Sequence, residues 1–395
     1  MSIFIVAAKR TPFGSFGGSL KALTSTDLCV ESTKAALAQG SVSASQVDSV
    51  FVGNVIQSSP DAAYLARHVG LRSGVPVSTQ ALTINRLCGS GFETVAQGAQ
   101  AIQLGLSAVS VCGGAENMSA APFTVDGNAA RWGVALGKGM SMNDSLWSGL
   151  TDSYAGTPMG VTAENLAKKH GITRSECDEF AVRSQRLWGE AKAAGNFDAE
   201  IAPVEIKTRK GTKVVDTDEH PKPSTTVESI SGLRPVFDKE GVVTAAGASG
   251  ICDGAGTIIL ASESAVAEHG YKPLCKLTAW TSVGCEPTEM GIGPVPAIRK
   301  ALDMAGKTID DVDRFEINEA FAAQFLSCAK ELGLDMDKTN VNGGAISLGH
   351  PLGASGSRIV AHLANEFERN EGMNTAVGSA CIGGGQGIAV VLERC

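Results

Sequence analysis

Residues 87–99 read LCGSGFETVAQGA, and residues 352–364 read LGASGSRIVAHLA. The two stretches lie 352 − 87 = 265 positions apart. A second pair keeps that spacing: AALAQGSVSASQVD ends at Asp48 and KALDMAGKTIDDVD ends at Asp313, again 313 − 48 = 265. Two separate matches at one offset point to a duplicated half. In each copy a helix with spaced Ala and Leu leads to a short apolar strand (SVFVGNV from Ser49, RFEINEA from Arg314). A glycine-rich turn follows, then another helix. In the first copy that helix sets Phe92, Val95, Ala96, Ala99 and Ile102 on one face, the periodicity of an amphipathic helix. Strands alternating with helices make the fold class α/β, with βα units and a mostly parallel sheet in each half.

The halves end differently. The second closes with ACIGGGQGIAVVLER, a glycine turn straight into a buried strand. In the first, VCGGAEN at Val111 and DGAGTIILAS at Asp253 read as the same two pieces pulled apart. The expected organisation is a first half at 1–119 with 250–272, an inserted loop domain at 120–249, and a second half at 273–395. Long insertions sit on the surface and carry binding function, so this one is expected to cover the site.

Composition narrows the function. A formal charge of −8 lacks the Lys/Arg excess that phosphate neutralisation needs, which excludes non-specific nucleic-acid binding. Aromatic residues make up only 5% of the chain against 47 glycines, so close small-residue contacts are expected rather than stacked-ring platforms. No run reaches the roughly 18 apolar residues of a membrane span. The apolar opening residues read as a first strand, without the longer core of a secretory signal or the Arg/Ser pattern of a transit peptide, and the end, Glu393-Arg394-Cys395, is not a peroxisomal tripeptide. The ten cysteines form no C-x-x-C pair, so free thiols in a reducing compartment are expected, and no metal site.

Four motifs carry reactive groups. INRLCGSGFETV places Cys88 between a strand and a helix start, where the dipole favours thiolate. NGGAISLGHPLGASGSR holds His350 in a glycine-dense loop, its direction fixed by Pro351. GSACIGGGQG sets Cys381 before three glycines whose backbone N–H groups can converge on an anion. EINEAFA brings Asn318 and Glu319 between a buried strand and an apolar helix. Taken singly, each also fits a structural residue: a buried cysteine on a strand–helix turn, a capping histidine, a core cysteine at a hairpin, or an N-cap asparagine with its acidic partner.

Together with VAAKRTPFG, MGVTAEN and TAAGASG, these motifs resemble the thiolase family over essentially the whole chain. The resemblance implies mixed sheets stacked in a layered αβαβα core. It also implies CoA-dependent cleavage of 3-ketoacyl-CoA to acetyl-CoA and a shortened acyl-CoA, as in fatty acid β-oxidation. By the same resemblance Cys88 is the nucleophile that becomes acylated, His350 its activator and Cys381 the general acid/base. One oxyanion is met by His350 and a water held by Asn318, the other by the backbone N–H groups of Cys88 and Gly383. Coenzyme A is the co-substrate, with no permanently bound cofactor. Its expected contacts are Ser249 of GASG, Ser229 of VESI, Phe237 of RPVF and Lys222 near the nucleotide phosphates. Cys112 has no catalytic counterpart and is structural. A homodimer or homotetramer is implied, as is the mitochondrial matrix, although the bare sequence allows cytosol.

One position departs from the family's short-chain members. They often carry histidine just before the Met-Gly of MGVTAEN, where this chain has Pro158. That favours longer substrates over an acetoacetyl-CoA thiolase running condensation or short-chain cleavage. A silent CoA-binding homologue is opposed by the intact Cys88, His350 and Cys381. A carrier-protein ketoacyl synthase is opposed by Cys381, because such enzymes use Cys-His-His or Cys-His-Asn sets.

Overall fold

The computed structural model describes every residue except Met1 and Lys210. The first apolar stretch forms strand β1 (Ile3–Arg10), buried along almost its whole length, as its β-branched and aromatic residues dictate between two covered faces. Eight more strands complete the main path: β2 (Ser49–Gly53), β3 (Gln80–Ile84), β4 (Val109–Asn117), β5 (Cys252–Ser262), β6 (Cys275–Gly284), β7 (Arg314–Ile317), β8 (Thr375–Ile382) and β9 (Gln386–Glu393). Their order is β7-β8-β9-β6-β1-β5-β4-β2-β3. The first half thus runs outward from β1 and the second outward from β6. The two halves join where Phe4 pairs with Lys276 and Ile5 with Cys275.

The duplication is visible residue by residue. Strand starts Ser49 and Arg314 differ by 314 − 49 = 265. So do the starts of helix α3 (Ser90–Gln103) and its counterpart (Ser355–Arg369), 355 − 90 = 265. The sheet is mixed, not mostly parallel. β2 pairs in parallel with β3 and β4, and β7 with β8, whereas β4–β5 and β8–β9 are antiparallel. The reason is the connection. Only Gly383, Gly384 and Gly385 separate β8 from β9, too short for a parallel crossover.

Helices α1 (Ser25–Gln39) and α2 (Leu65–Arg72) cover the outer face of the first half. Further on come α4 (Met159–His170), α5 (Arg174–Ala193), α6 (Pro294–Ala305), α7 (Ala322–Leu332) and α8 (Ser355–Arg369). α6 and α7 cover the outer face of the second half. Between the two halves of the sheet lie α3 and α8, whose Phe92, Val95, Ile102, Ile359, Leu363 and Phe367 share one core with strand residues of both halves. Each such large apolar side chain contributes about 1.5–3 kcal/mol by its burial. The five layers are therefore αβαβα. The central helices meet at Gly91 and Gly356, themselves 356 − 91 = 265 apart. A Cβ on Gly91 would stand 2.4 Å from Ser357 N, and one on Gly356 2.3 Å from Phe92 N, so the approach requires glycine at both.

Between β4 and β5 the chain leaves the sheet and returns 134 residues later (252 − 117 − 1 = 134). Its helices α4 and α5 are not detached from the core. Ala167, Cys177, Phe180 and Ala181 belong to the second half's outer core, and Phe180 stacks on Phe325 at 4.4 Å. No helix of the described residues is long and apolar enough to cross a membrane.

Candidate active site

The loops after β3 and β7, the loop before α8 and parts of the excursion between β4 and β5 meet around one cavity of about 550 Å³, lined mainly by apolar side chains. The Cys88 turn is built by short bonds. Asn85 Oδ1 accepts from Leu87 N at 2.9 Å. Ser90 Oγ accepts from Arg86 N at 2.8 Å and donates to Leu87 O at 2.7 Å. Leu87 is held at φ 48°, a left-handed conformation costing on the order of 1–3 kcal/mol for such a residue. This strained turn presents the half-buried Cys88 to the cavity, as in other strand–nucleophile–helix elbows. A Cβ on Gly89 would lie 2.4 Å from Ile382 Cδ1, so the turn sits directly on the end of β8.

Cys88 stands before the helix, which starts at Ser90. Burial pushes its thiol up to about 11, with the Gly383 N–H at its sulfur pulling the other way. The thiolate expected from the helix dipole is therefore not the resting form. The resting group is a neutral thiol that needs a base.

His350 supplies one. Its backbone N–H donates to Gly250 O at 2.8 Å. Its Nδ1 lies 2.5 Å from Ser355 Oγ, and Ser355 Oγ donates to Pro351 O at 3.0 Å. A lone pair at Nε2 belongs to the tautomer in which Nδ1 donates to Ser355 Oγ and the hydroxyl donates to Pro351 O. Burial, and secondarily Arg358, push the imidazole down to about 3, so it rests neutral. Asn318 Nδ2 lies 3.3 Å from Nε2. Asn318 Oδ1 is buried without a hydrogen-bond partner, an acceptor that calls for a donor. Asn318 is not a helix cap: α7 starts at Ala322 after Phe321. Glu319 is a buried tie, accepting from Ser184 Oγ, Asn340 Nδ2 and Ile346 N.

Cys381 is fully buried and does not line the cavity. It packs with Met290 and Ala320, which do, against Met159 and Phe321, and thus lies directly behind the wall. Burial raises its thiol far above the ordinary range, and the neighbouring Cys88 adds to this. Gly383 follows two residues later, its N–H on Cys88. Ser249 and Phe237 line the cavity. Ser249 N donates to Ala320 O at 3.0 Å, and the Phe237 ring lies on Gly160, where a Cβ would meet it at 2.0 Å. Lys222 and Ser229 are not among the lining residues. Ser229 Oγ is engaged in capping its own short helix through Thr226. Cys112 is buried on β4 away from this cavity.

Several residues were not singled out by sequence. Ser355 Oγ holds His350 Nδ1, and its place in the repeated Gly-Ser-Gly/Ala-Ser-Gly start was the available signal. Met118 and His220 line the cavity, and His220 Nδ1 bonds Ser347 O at 2.8 Å. Nothing local in the sequence marks either.

The family model "Thiolase, N-terminal domain" matches residues 3–264, and "Thiolase, C-terminal domain" matches residues 271–394. The chain belongs to the thiolase family. Among curated thiolase relatives, 3-ketoacyl-CoA thiolase, mitochondrial, of Bos taurus is 57% identical over 392 residues, covering 99% of this chain and 98% of the relative. Acetyl-CoA acetyltransferase of Escherichia coli (strain K12) is 47% identical over 394 residues, covering 99% and 98%. The crystal structure of human mitochondrial 3-ketoacyl-CoA thiolase superposes with a TM-score of 0.98 at 55% identity, covering 100% of this chain and 99% of that one. Its complex with CoA gives 0.97 at 55% identity, covering 100% and 98%. The thiolase fold expected from the sequence is thus the observed one.

Proposed function

We propose that the chain cleaves 3-ketoacyl-CoA with CoA as co-substrate, releasing acetyl-CoA and an acyl-CoA two carbons shorter. The observation that carries this is the meeting of Cys88 and neutral His350 at one apolar cavity, with buried Cys381 directly behind its wall and the Gly383 N–H on the Cys88 sulfur. In the first step Cys88 gives its proton to His350 Nε2 and its sulfur bonds the C3 carbonyl carbon. The C2–C3 bond breaks and its electron pair passes to the acetyl-CoA enolate, which Cys381 protonates at carbon. Cys381, now a thiolate, takes the proton of incoming CoA. The CoA sulfur attacks the acyl group, and Cys88 leaves with the proton held by His350. In this reading His350 and a water held by Asn318 meet the enolate oxygen, and the N–H groups of Cys88 and Gly383 meet the acyl oxygen. One such donor is worth on the order of 10²–10³ in rate.

Higher identity to the 3-ketoacyl-CoA thiolases than to the acetyl-CoA acetyltransferase, and Pro158 in the cavity lining, favour degradation over acetoacetyl-CoA synthesis. Ser249 and Phe237 are well placed for the CoA arm, and Ser229 and Lys222 are proposed to act only further along it. The relatives' mitochondrial names support a matrix location. A homodimer or homotetramer is supported by β3, a sheet edge bonded only on its β2 side, with Leu82 50% exposed, and by the exposed Phe123, Trp132 and Leu136 of the excursion.

Single-turnover acylation separates the roles. Cys381→Ser should still acquire an acyl group on Cys88 while steady-state thiolysis collapses, because a serine hydroxyl is a poor proton shuttle near neutrality. His350→Ala should slow acylation itself. Loss of acylation in Cys381→Ser as complete as in Cys88→Ala would make Cys381 part of nucleophile activation and overturn this division.

A further inference from the structure

Cys88 and His350 are 350 − 88 = 262 residues apart, yet proton transfer between them needs their geometry held to well under about 1 Å. A continuous path of hydrogen bonds joins their two loops, and it runs through Glu116 at the end of β4. Glu116 is fully buried. Its Oε2 accepts from Gly353 N, three residues past His350, at 2.8 Å and from Val55 N at 3.1 Å. Its Oε1 accepts from Ile56 N and Asn54 Nδ2, both at 2.9 Å. Val55 O in turn accepts from Asn85 Nδ2 at 3.2 Å, and Asn85 Oδ1 accepts from Leu87 N at 2.9 Å, at the strained residue that presents Cys88. The His350 loop is seated tightly on this end of the sheet: a Cβ on Gly353 would lie 2.8 Å from both Gly53 O and Ala115 O.

We propose that Glu116 is a positioning residue for acyl transfer, its carboxylate holding the His350 loop in register with the Cys88 turn through Asn54–Ile56 and Asn85. The chemistry requires a carboxylate. Four donors converge on two oxygens, and an ionised carboxyl is all acceptor. A glutamine in either orientation turns its NH₂ toward one pair of N–H donors and loses at least two of the four bonds. Burial pushes the Glu116 carboxyl up to about 7, with the N–H groups of Ile56, Gly353 and Val55 pulling it back, so assays belong at about pH 8, where it is ionised.

The inference rests on the thiolytic reading only in that Cys88 is acylated. The test is single-turnover acylation by acetyl-CoA, beside the Kd for CoA, in wild type, Glu116→Gln, His350→Ala and the double variant. Glu116→Gln should acylate about 10²-fold more slowly with its CoA Kd within about twofold of wild type, because alignment and not binding is lost. Since Glu116 acts through His350, the double variant should be within about threefold of His350→Ala alone. A residue that merely supports the fold would slow both backgrounds by the same factor, and that additivity would overturn the proposal. So would a Glu116→Gln rate within about threefold of wild type. Should Glu116→Gln not fold, Asn85→Ala cuts the same path at an exposed residue. It should slow acylation about tenfold at unchanged CoA affinity, and a wild-type rate would overturn the path. If the wild type itself gains no acyl group on Cys88, the thiolytic reading falls; if it does and the variants keep pace, only Glu116's role falls.

Discussion

Cys88 and His350 meet as two neutral groups, and this sets the pH behaviour. Burial holds the thiol up near 11 and the imidazole down near 3. Protonation of His350 removes the base, so the acid limb of acylation belongs to the imidazole and is displaced well below its ordinary 6.5. Ionisation of Cys88 sets in only far above neutrality. Single-turnover acylation should therefore show no imidazole limb near neutrality: it should be flat from about pH 8 to 9 and fall only as Glu116 protonates near 7, and a limb near 6.5 that persists in Glu116→Gln would contradict the imidazole assignment. At this scale the sequence was legible where a reactive side chain sits in a glycine-marked turn, as Cys88, His350 and Cys381 do. It was not legible where a residue's state depends on what the fold packs against it. The helix-dipole argument for a Cys88 thiolate failed because Cys88 precedes the helix and is desolvated. Glu116, Ser355 and His220 acquire meaning only from partners distant in the chain.

Among the elements, the 265-residue offset foretold the equivalent strands β2 and β7 and the central helices α3 and α8, because the repeated glycines mark where two backbones touch. The strand directions were misjudged, since βα alternation says nothing about a strand pair closed by a three-glycine turn. Nor did the sequence announce the charged cluster that ties the excursion to the core. Arg10 on β1 bonds Glu200 at 2.6 Å and Asp218 at 2.7 Å, and Glu200 also bonds His362 on α8 at 2.7 Å. Burial pushes the Glu200 carboxyl up, but His362 and Arg10 outweigh it and pull it down to about 2. Its contribution is full above its ordinary 4.5 and is lost as pH falls toward 2. Burial lowers His362, yet Glu200 raises it above its ordinary 6.5. That contribution is full below 6.5 and is lost as pH rises through the raised value. The cluster stabilises most between those limits. Glu200→Gln leaves His362 without its carboxylate and Arg10 with one of two, and should cost about 3–5 kcal/mol. Urea denaturation near pH 6 checks this, and a loss under about 1 kcal/mol would contradict it.

For the whole molecule, the exposed edge of β3 and the apolar residues of the excursion argue against a lone subunit, because an unpaired edge strand invites pairing. Light scattering at micromolar concentration should give a dimer or tetramer mass, and monomer alone would count against both. Duplication explains how the site is assembled. Each half delivers one glycine-marked helix start to the centre, one preceded by Cys88 and the other by His350, and the end of β8 with its turn brings Cys381 and Gly383 beside them. The central claim is that this meeting makes Cys88 the acyl carrier, and peptide mass mapping after incubation with acetyl-CoA and acid quench tests it most directly. The account predicts a labile acetyl group on Cys88 that disappears in Cys88→Ala. Acetylation confined to another cysteine, buried Cys381 or exposed Cys395 among them, would contradict it.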